Sequence, residues 1–171
     1  MEEIKKVIRD VADFPKSGVI FKDICPILQN PEIFQKTIQA LIQRYQGKSF
    51  DKIAAIESRG FLFASALAFA LKKSFVLVRK KGKLPWKIVS MTYDLEYGSD
   101  TIQMHEDAVS PGENVLLVDD LLATGGTSLA ACALIQKMGG KILECSFVVE
   151  LDFLKGRERL KNYEVFSLVH Y

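Results

Sequence analysis

Apolar positions along the chain follow two different periods, and the changes of period mark the elements. Ile4, Val7, Ile8 and Val11 fall at helical spacing and predict a short amphipathic helix at the start. Pro15, Gly18 and Pro26 punctuate the irregular stretch that follows. Asn30-Pro31 predicts a second helix start, because an asparagine side chain caps a backbone N–H and proline at the first helical position has no donor to lose. Phe34, Ile38, Leu41, Ile42 and Tyr45 predict its buried face, and Gly47 its end. Beyond that, short apolar runs alternate with helical ones. Strands are expected at 53–56, 75–78, 115–118, 145–151 and 165–169, and helices at 61–71 and 127–138. Continuous apolar strands are covered on both faces, so the expected class is α/β, with a mostly parallel central sheet flanked by helices. Between 89 and 109 the rhythm changes to polar–apolar alternation, with a turn at Tyr97-Gly98-Ser99-Asp100, which predicts an antiparallel flap.

The chain has 171 residues, which fits a single domain over 1–171. With 49% hydrophobic and 26% charged residues it is a packed chain rather than a disordered one. A net charge of +2 announces neither nucleic acid nor membrane as a partner. The nearly apolar run 61–71 is too short to span a bilayer. Met1 is followed by Glu2, Glu3, Lys5 and Lys6 with no apolar signal region, so a cytoplasmic location is expected. Cys25, Cys132 and Cys145 are widely spaced in sequence and read as reduced thiols, and neither His105 nor His170 has metal-ligand spacing.

The chemistry concentrates in one segment, Val118-Asp119-Asp120-Leu121-Leu122-Ala123-Thr124-Gly125-Gly126-Thr127. A buried strand delivers two carboxylates to its carboxyl end, where α/β sheets place ligands. A turn of small residues then enters a helix, so backbone N–H groups can converge on an anion. Neither the Walker loop nor the dinucleotide glycine pattern is present. An anion held by the turn beside a diol held by carboxylates points to a ribose 5-phosphate. Taken alone, Asp119-Asp120 would instead favour two solvated aspartates at a strand end.

This segment resembles the phosphoribosyl-diphosphate (PRPP) motif of the type I phosphoribosyltransferases, and the resemblance extends over nearly the whole chain. Further blocks that carry it are Phe14-Pro15, Gly18-Val19-Ile20-Phe21-Lys22-Asp23-Ile24, Glu57-Ser58-Arg59-Gly60-Phe61, Arg79-Lys80-Lys81-Gly82-Lys83-Leu84-Pro85, Leu95-Glu96-Tyr97-Gly98 and Leu154-Lys155-Gly156-Arg157. These blocks point to adenine as the base. The resemblance implies the type I phosphoribosyltransferase fold, with residues 1–30 as a small N-terminal hood and 79–109 as a flexible flap over the active site. It implies purine salvage, adenine + PRPP → AMP + diphosphate, through an oxocarbenium-like transition state, with Mg²⁺ held mainly by PRPP and water and a homodimeric assembly.

The same resemblance distributes the roles. Asp119, Asp120, Ala123, Thr124, Gly125, Gly126 and Thr127 would bind PRPP or AMP. Ser58, Arg59, Arg79, Lys80 and Lys83 would hold diphosphate, the loop that matches Glu57-Ser58-Arg59-Gly60 often carrying a non-proline cis peptide in relatives. Glu96 would exchange the purine proton, with Tyr97 closing beside it. Ile20, Phe21, Lys22 and Leu154 would surround adenine, although a core leucine is an equally good reading of Leu154. Ser17 stands where many relatives have proline, which loosens the hood turn. Trp86 reads as flap packing. Arg79, Lys80, Lys81, Lys83 and Lys87 crowd nine residues, which predicts positive charge where diphosphate leaves, separate from negative charge where ribose sits. Two rivals remain at this point: a transferase for another base, and a PRPP-sensing regulator that binds nucleic acid.

Overall fold

A computed structural model of the chain describes residues 1–94 and 98–171, the side chain of Asp94 aside. They form two compact units, Met1–Tyr45 and Gln46–Tyr171.

The first unit opens with helix α1 (Glu2–Val7), which is shorter than the apolar spacing predicts. Ile8 turns extended at φ −65° and ψ 126°, and Val11 lies instead in strand β1 (Arg9–Ala12). Val11 suits both periods, and β-branched residues favour the pleated one. β1 pairs antiparallel with β2 (Ile20–Asp23), from Arg9↔Asp23 to Ala12↔Ile20, so the stretch expected to be irregular holds a hairpin. Its connection contains Gly18 at φ 83°, whose N–H donates to Asp13 Oδ1 at 2.7 Å, and a cis Phe14–Pro15 bond. Helix α2 (Cys25–Gln29) takes Pro26 in its first turn. Helix α3 (Pro31–Tyr45) starts as expected: Asn30 Oδ1 accepts from the N–H groups of Glu32 at 3.1 Å and Ile33 at 3.2 Å. Its most deeply buried line is Ile33, Thr37, Leu41 and Tyr45, while Phe34, Ile38 and Ile42 lie half-buried beside it.

The second unit is built on a seven-stranded sheet. Its elements are β3 (Lys52–Ile56), α4 (Gly60–Leu71), β4 (Ser74–Lys80), β5 (Ile88–Asp94), β6 (Ser99–His105), β7 (Asn114–Leu122), α5 (Gly126–Lys137), β8 (Lys141–Glu150), a 3₁₀ turn (Asp152–Leu154), α6 (Gly156–Arg159) and β9 (Val165–His170). Strand order is β5-β6-β4-β3-β7-β8-β9. The β3–β4, β3–β7, β7–β8 and β8–β9 pairs are parallel, as the apolar runs predict. The flap is antiparallel, and it extends the main sheet: β6 continues from β4 through Arg79↔Gln103 and Lys80↔Ile102.

Burial explains the parallel part. Ala54, Ile56, Val115 and Leu117 join a cluster with Ala131, Leu134 and Ile135 of α5, while the alternate residues Ile53, Ala55, Leu116 and Val118 are also buried. Both faces of β3 and β7 are therefore covered. β3 runs through α4 to β4 on one side, and β7 runs through α5 to β8 on the other. The boundary between β3 and β7 is thus a topological switch point, where a crevice opens beyond the strand ends. Cys132 and Cys145 are distant in sequence but meet in this core, Sγ to Sγ 3.4 Å, as buried thiols. Their mutual hydrogen bond, followed by burial, pushes the Cys132 thiol far up. Among the described residues no helix is long and apolar enough to cross a membrane.

Candidate active site

Two strand-to-helix turns meet at the switch point. β3 ends at Ile56 and the chain enters α4 through Glu57-Ser58-Arg59, with a cis peptide between Glu57 and Ser58. β7 carries Asp119 and Asp120 past Val118, its last residue paired with β3, and reaches α5 through Ala123-Thr124-Gly125. Gly125 sits at φ 78°, a left-handed conformation that glycine adopts at little cost. The two turns touch at Gly60, where an added Cβ would stand 2.7 Å from Asp119 Oδ1 and 3.1 Å from its Cα. A side chain there would displace the carboxylate, so glycine is what lets α4 begin against the end of β7.

A cavity of about 400 Å³ opens between the turns. It is lined by Ser58, Arg59, Asp119, Asp120 and residues 123–127 from the expected set, together with Lys80. The other lining residues include the polar Glu57, Tyr93, Asp100 and Ser128, to which sequence reasoning gave no site role. Arg79, Lys83 and Leu154 are not part of the wall. Leu154 is no core residue either, being 38% exposed on the 3₁₀ turn. Glu96 and Tyr97 lie outside the described residues. Ile20, Phe21 and Lys22 belong to β2, where Lys22 Nζ pairs with Asp10 at 2.6 Å and Phe14 packs edge to face on Phe21. Trp86 packs edge to face on His105 of the flap, ring centres 6.1 Å apart.

The charges interleave rather than separate. Arg59 Nε lies 2.8 Å from Asp120 Oδ2, which is buried. Arg79 forks onto Glu57, Nε to Oε2 and Nη2 to Oε1 each at 3.2 Å, and its Nη1 donates to the Lys83 carbonyl at 3.0 Å. In this structure the Arg79 guanidinium is thus engaged with Glu57 instead of facing the cavity. Burial opposes the Glu57 carboxylate, but Arg79 and the Lys80 N–H outweigh it and hold its pKa down. Asp119 moves the other way: burial, then the charge of Asp120, raises it well above the usual carboxylate range. Burial raises Asp120 too, against the pull of Arg59. Charge on the acid pair is therefore costly in this setting, and further donors such as vicinal hydroxyls would lower that cost. Opposite it, the Tyr93 hydroxyl bridges to Thr127 Oγ1 at 3.0 Å and Asp100 at 3.4 Å. Tyr93 is one polar–apolar step along the flap, and nothing in its spacing distinguishes it from packing.

This arrangement places a carboxylate pair, a glycine turn at a helix start and two cations, Arg59 and Lys80, around one cavity. A family described as "Phosphoribosyl transferase domain" matches residues 26–169. The adenine phosphoribosyltransferase of Acidobacterium capsulatum is 54% identical over 170 residues, covering 99% of this chain and 94% of that one. The chain belongs to the adenine phosphoribosyltransferase family. Its fold is that of the type I phosphoribosyltransferases. The crystal structure of the family member from Thermoanaerobacter pseudethanolicus superposes with a TM-score of 0.97 at 48% identity, covering 99% of each chain. The Saccharomyces cerevisiae member, solved with an imino-altritol bisphosphate and adenine, gives 0.92 at 45% identity, covering 98% of this chain and 97% of that one.

Proposed function

We propose that this chain transfers a phosphoribosyl group from PRPP to adenine, giving AMP and diphosphate in purine salvage. It is a pentosyltransferase, as its family membership implies. The observation that carries the reading is the acid pair Asp119-Asp120, half-buried and buried in turn, beside the turn 123–127 in one cavity with Arg59 and Lys80. The turn and the start of α5 hold the 5-phosphate, through backbone N–H groups and the hydroxyls of Thr124 and Thr127. Asp119 and Asp120 accept the ribose hydroxyls, and their charge favours an oxocarbenium-like ring as the C1–oxygen bond to diphosphate breaks and the bond to purine N9 forms. Ser58, Arg59 and Lys80 take up the departing diphosphate. Arg79 and Lys83 join them only if the Glu57 fork opens, in one subunit or across a dimer. Glu96 receives the purine N9 proton, and Tyr97 closes beside it.

Residues 1–30 act as the base-binding hood and 79–109 as the flap of a single phosphoribosyltransferase domain. Ile20, 56% exposed on β2, supplies apolar surface for stacking, main-chain groups of 20–22 read the purine edge, and Leu154 packs near the base. Adenine presents an acceptor at N1 and a donor at N6, the reverse of a 6-oxopurine, so a fixed backbone pair discriminates against the wrong base.

Mg²⁺ would be held mainly by PRPP oxygens and water. Of the cavity carboxylates, Glu57 and Asp120 already face arginines, which leaves a donor set suited to a hydrated ion carried on substrate oxygens rather than to a protein cage. When bound it neutralises leaving-group charge. The reading extends to a cytoplasmic homodimer with no nucleic-acid or membrane partner. The apolar helix α4, which leaves Phe69 at 89% exposure, supports a second copy as the cover. A base panel with PRPP tests the assignment. Adenine should be consumed at least a hundredfold faster than hypoxanthine or guanine, and a preference for either 6-oxopurine would overturn it.

A further inference from the structure

The block Leu154-Lys155-Gly156-Arg157 lines no part of the cavity, yet its backbone rests directly on the phosphate turn. A Cβ added at Gly156 would stand 2.2 Å from the Ala123 carbonyl oxygen and 3.0 Å from Leu122 Cδ1, and one added at Gly125 would stand 2.5 Å from the Gly156 carbonyl oxygen. No gap separates the two segments here, so any shift of one moves the other.

An ionic clasp holds this contact, with Glu150 buried and Arg157 partly exposed. Arg157 donates to Glu150 through Nε at 3.0 Å and Nη2 at 2.6 Å, and to the Val165 carbonyl through Nη1 at 2.8 Å. Ser167 Oγ donates to Glu150 Oε2 at 2.6 Å. Glu150 is 3% exposed and ends β8 in register with Leu122, the last strand residue before the phosphate turn. The Leu151 N–H also donates to the Leu122 carbonyl at 3.0 Å. A forked arginine on a buried carboxylate is a weak source of stability but fixes geometry in two directions.

We propose that Arg157 is a positioning residue for the phosphate turn. Through Glu150 and Gly156 it presses on Ala123–Gly125 from behind, so that the turn's N–H groups converge on the 5-phosphate before it arrives. The proposal rests on the phosphate role given above to that turn.

The test uses ribose 5-phosphate as probe, with calorimetric affinity, Tm, and the KM for PRPP against kcat measured on the full chain. Arg157→Lys keeps the charge and loses the fork, and Ser167→Ala loosens Glu150 without touching the turn. Misplacement of a preorganised site costs about tenfold or more, so Arg157→Lys should weaken ribose 5-phosphate binding and raise the PRPP KM by about that factor. Its kcat should stay within about threefold, because the diphosphate and base contacts are untouched. Ser167→Ala should shift affinity in the same direction by less. A purely structural clasp would lower Tm and leave affinity in place, and unchanged affinity in both variants overturns the proposal. So does a parent protein that binds no ribose 5-phosphate. AMP formation by the parent, assayed separately, judges the proposed reaction on its own. Should Arg157→Lys not fold, Ser167→Ala alone decides.

Discussion

Asp119 and Asp120 are neighbours in sequence, and different groups face them. Arg59 pairs with Asp120, while Asp119 meets the start of α4 and carries the larger upward shift, caused first by burial and then by its neighbour. An acid whose folded pKa is raised contributes stability that is complete below its unfolded pKa and is lost as pH rises through the folded value. Ionising Asp119 therefore works against folding. Asp119→Asn should raise Tm by about 2–4 °C, the equivalent of roughly 1 kcal/mol in a chain of this size, and should weaken PRPP binding. Calorimetry and the PRPP KM check the two halves. Arg59→Ala should cut turnover severely and also lower Tm, since it strands the buried Asp120 carboxylate. The carboxylates, the glycine turn and Arg59 were legible in the sequence as one set that resembles a family pattern, since each taken alone fits an ordinary strand end or helix start. Their partners were not: Arg59 reaching Asp120, and Arg79 reaching Glu57, depend on which strand ends the sheet brings side by side.

At the scale of elements, a hydrogen bond from Tyr93 joins the flap to the phosphate turn. Tyr93 of β5 bridges Thr127, at the start of α5, and Asp100 of β6. A neutral hydrogen bond contributes about 0.5–1.5 kcal/mol net, so Tyr93→Phe should lower kcat/KM for PRPP by about two- to tenfold and Tm by about 1–6 °C. Steady-state kinetics at saturating adenine would measure this. The parallel strands were readable because residues buried on both faces leave continuous apolar runs, as in 115–118. The β1–β2 hairpin was not, since four-residue strands beside Pro15 and Gly18 look irregular and Val11 satisfies the helical period as well. That β6 extends from β4 is equally invisible, because it rests on two paired positions, Arg79↔Gln103 and Lys80↔Ile102.

Over the whole molecule, the small net charge of +2 conceals compensated pairs more than separated fields. Buried carboxylates act in opposite directions on acidification. Glu150 suffers burial, but Arg157 and Ser167 outweigh it and lower its pKa from 4.5. Its contribution is present above that value and is lost as pH falls through the folded pKa, opposite in sign to Asp119. The Tm advantage of the parent over Glu150→Gln should therefore shrink as pH drops below about 4.5, measured by thermal unfolding across a pH series. The proposed reaction requires one cavity to hold a phosphate, a ribose diol and a departing diphosphate together. Incubating the protein with adenine and PRPP, with and without Mg²⁺, tests this most directly. Stoichiometric AMP and diphosphate, formed with Mg²⁺ and largely abolished without it, is the predicted result. PRPP left intact beside adenine in the presence of Mg²⁺ would contradict it.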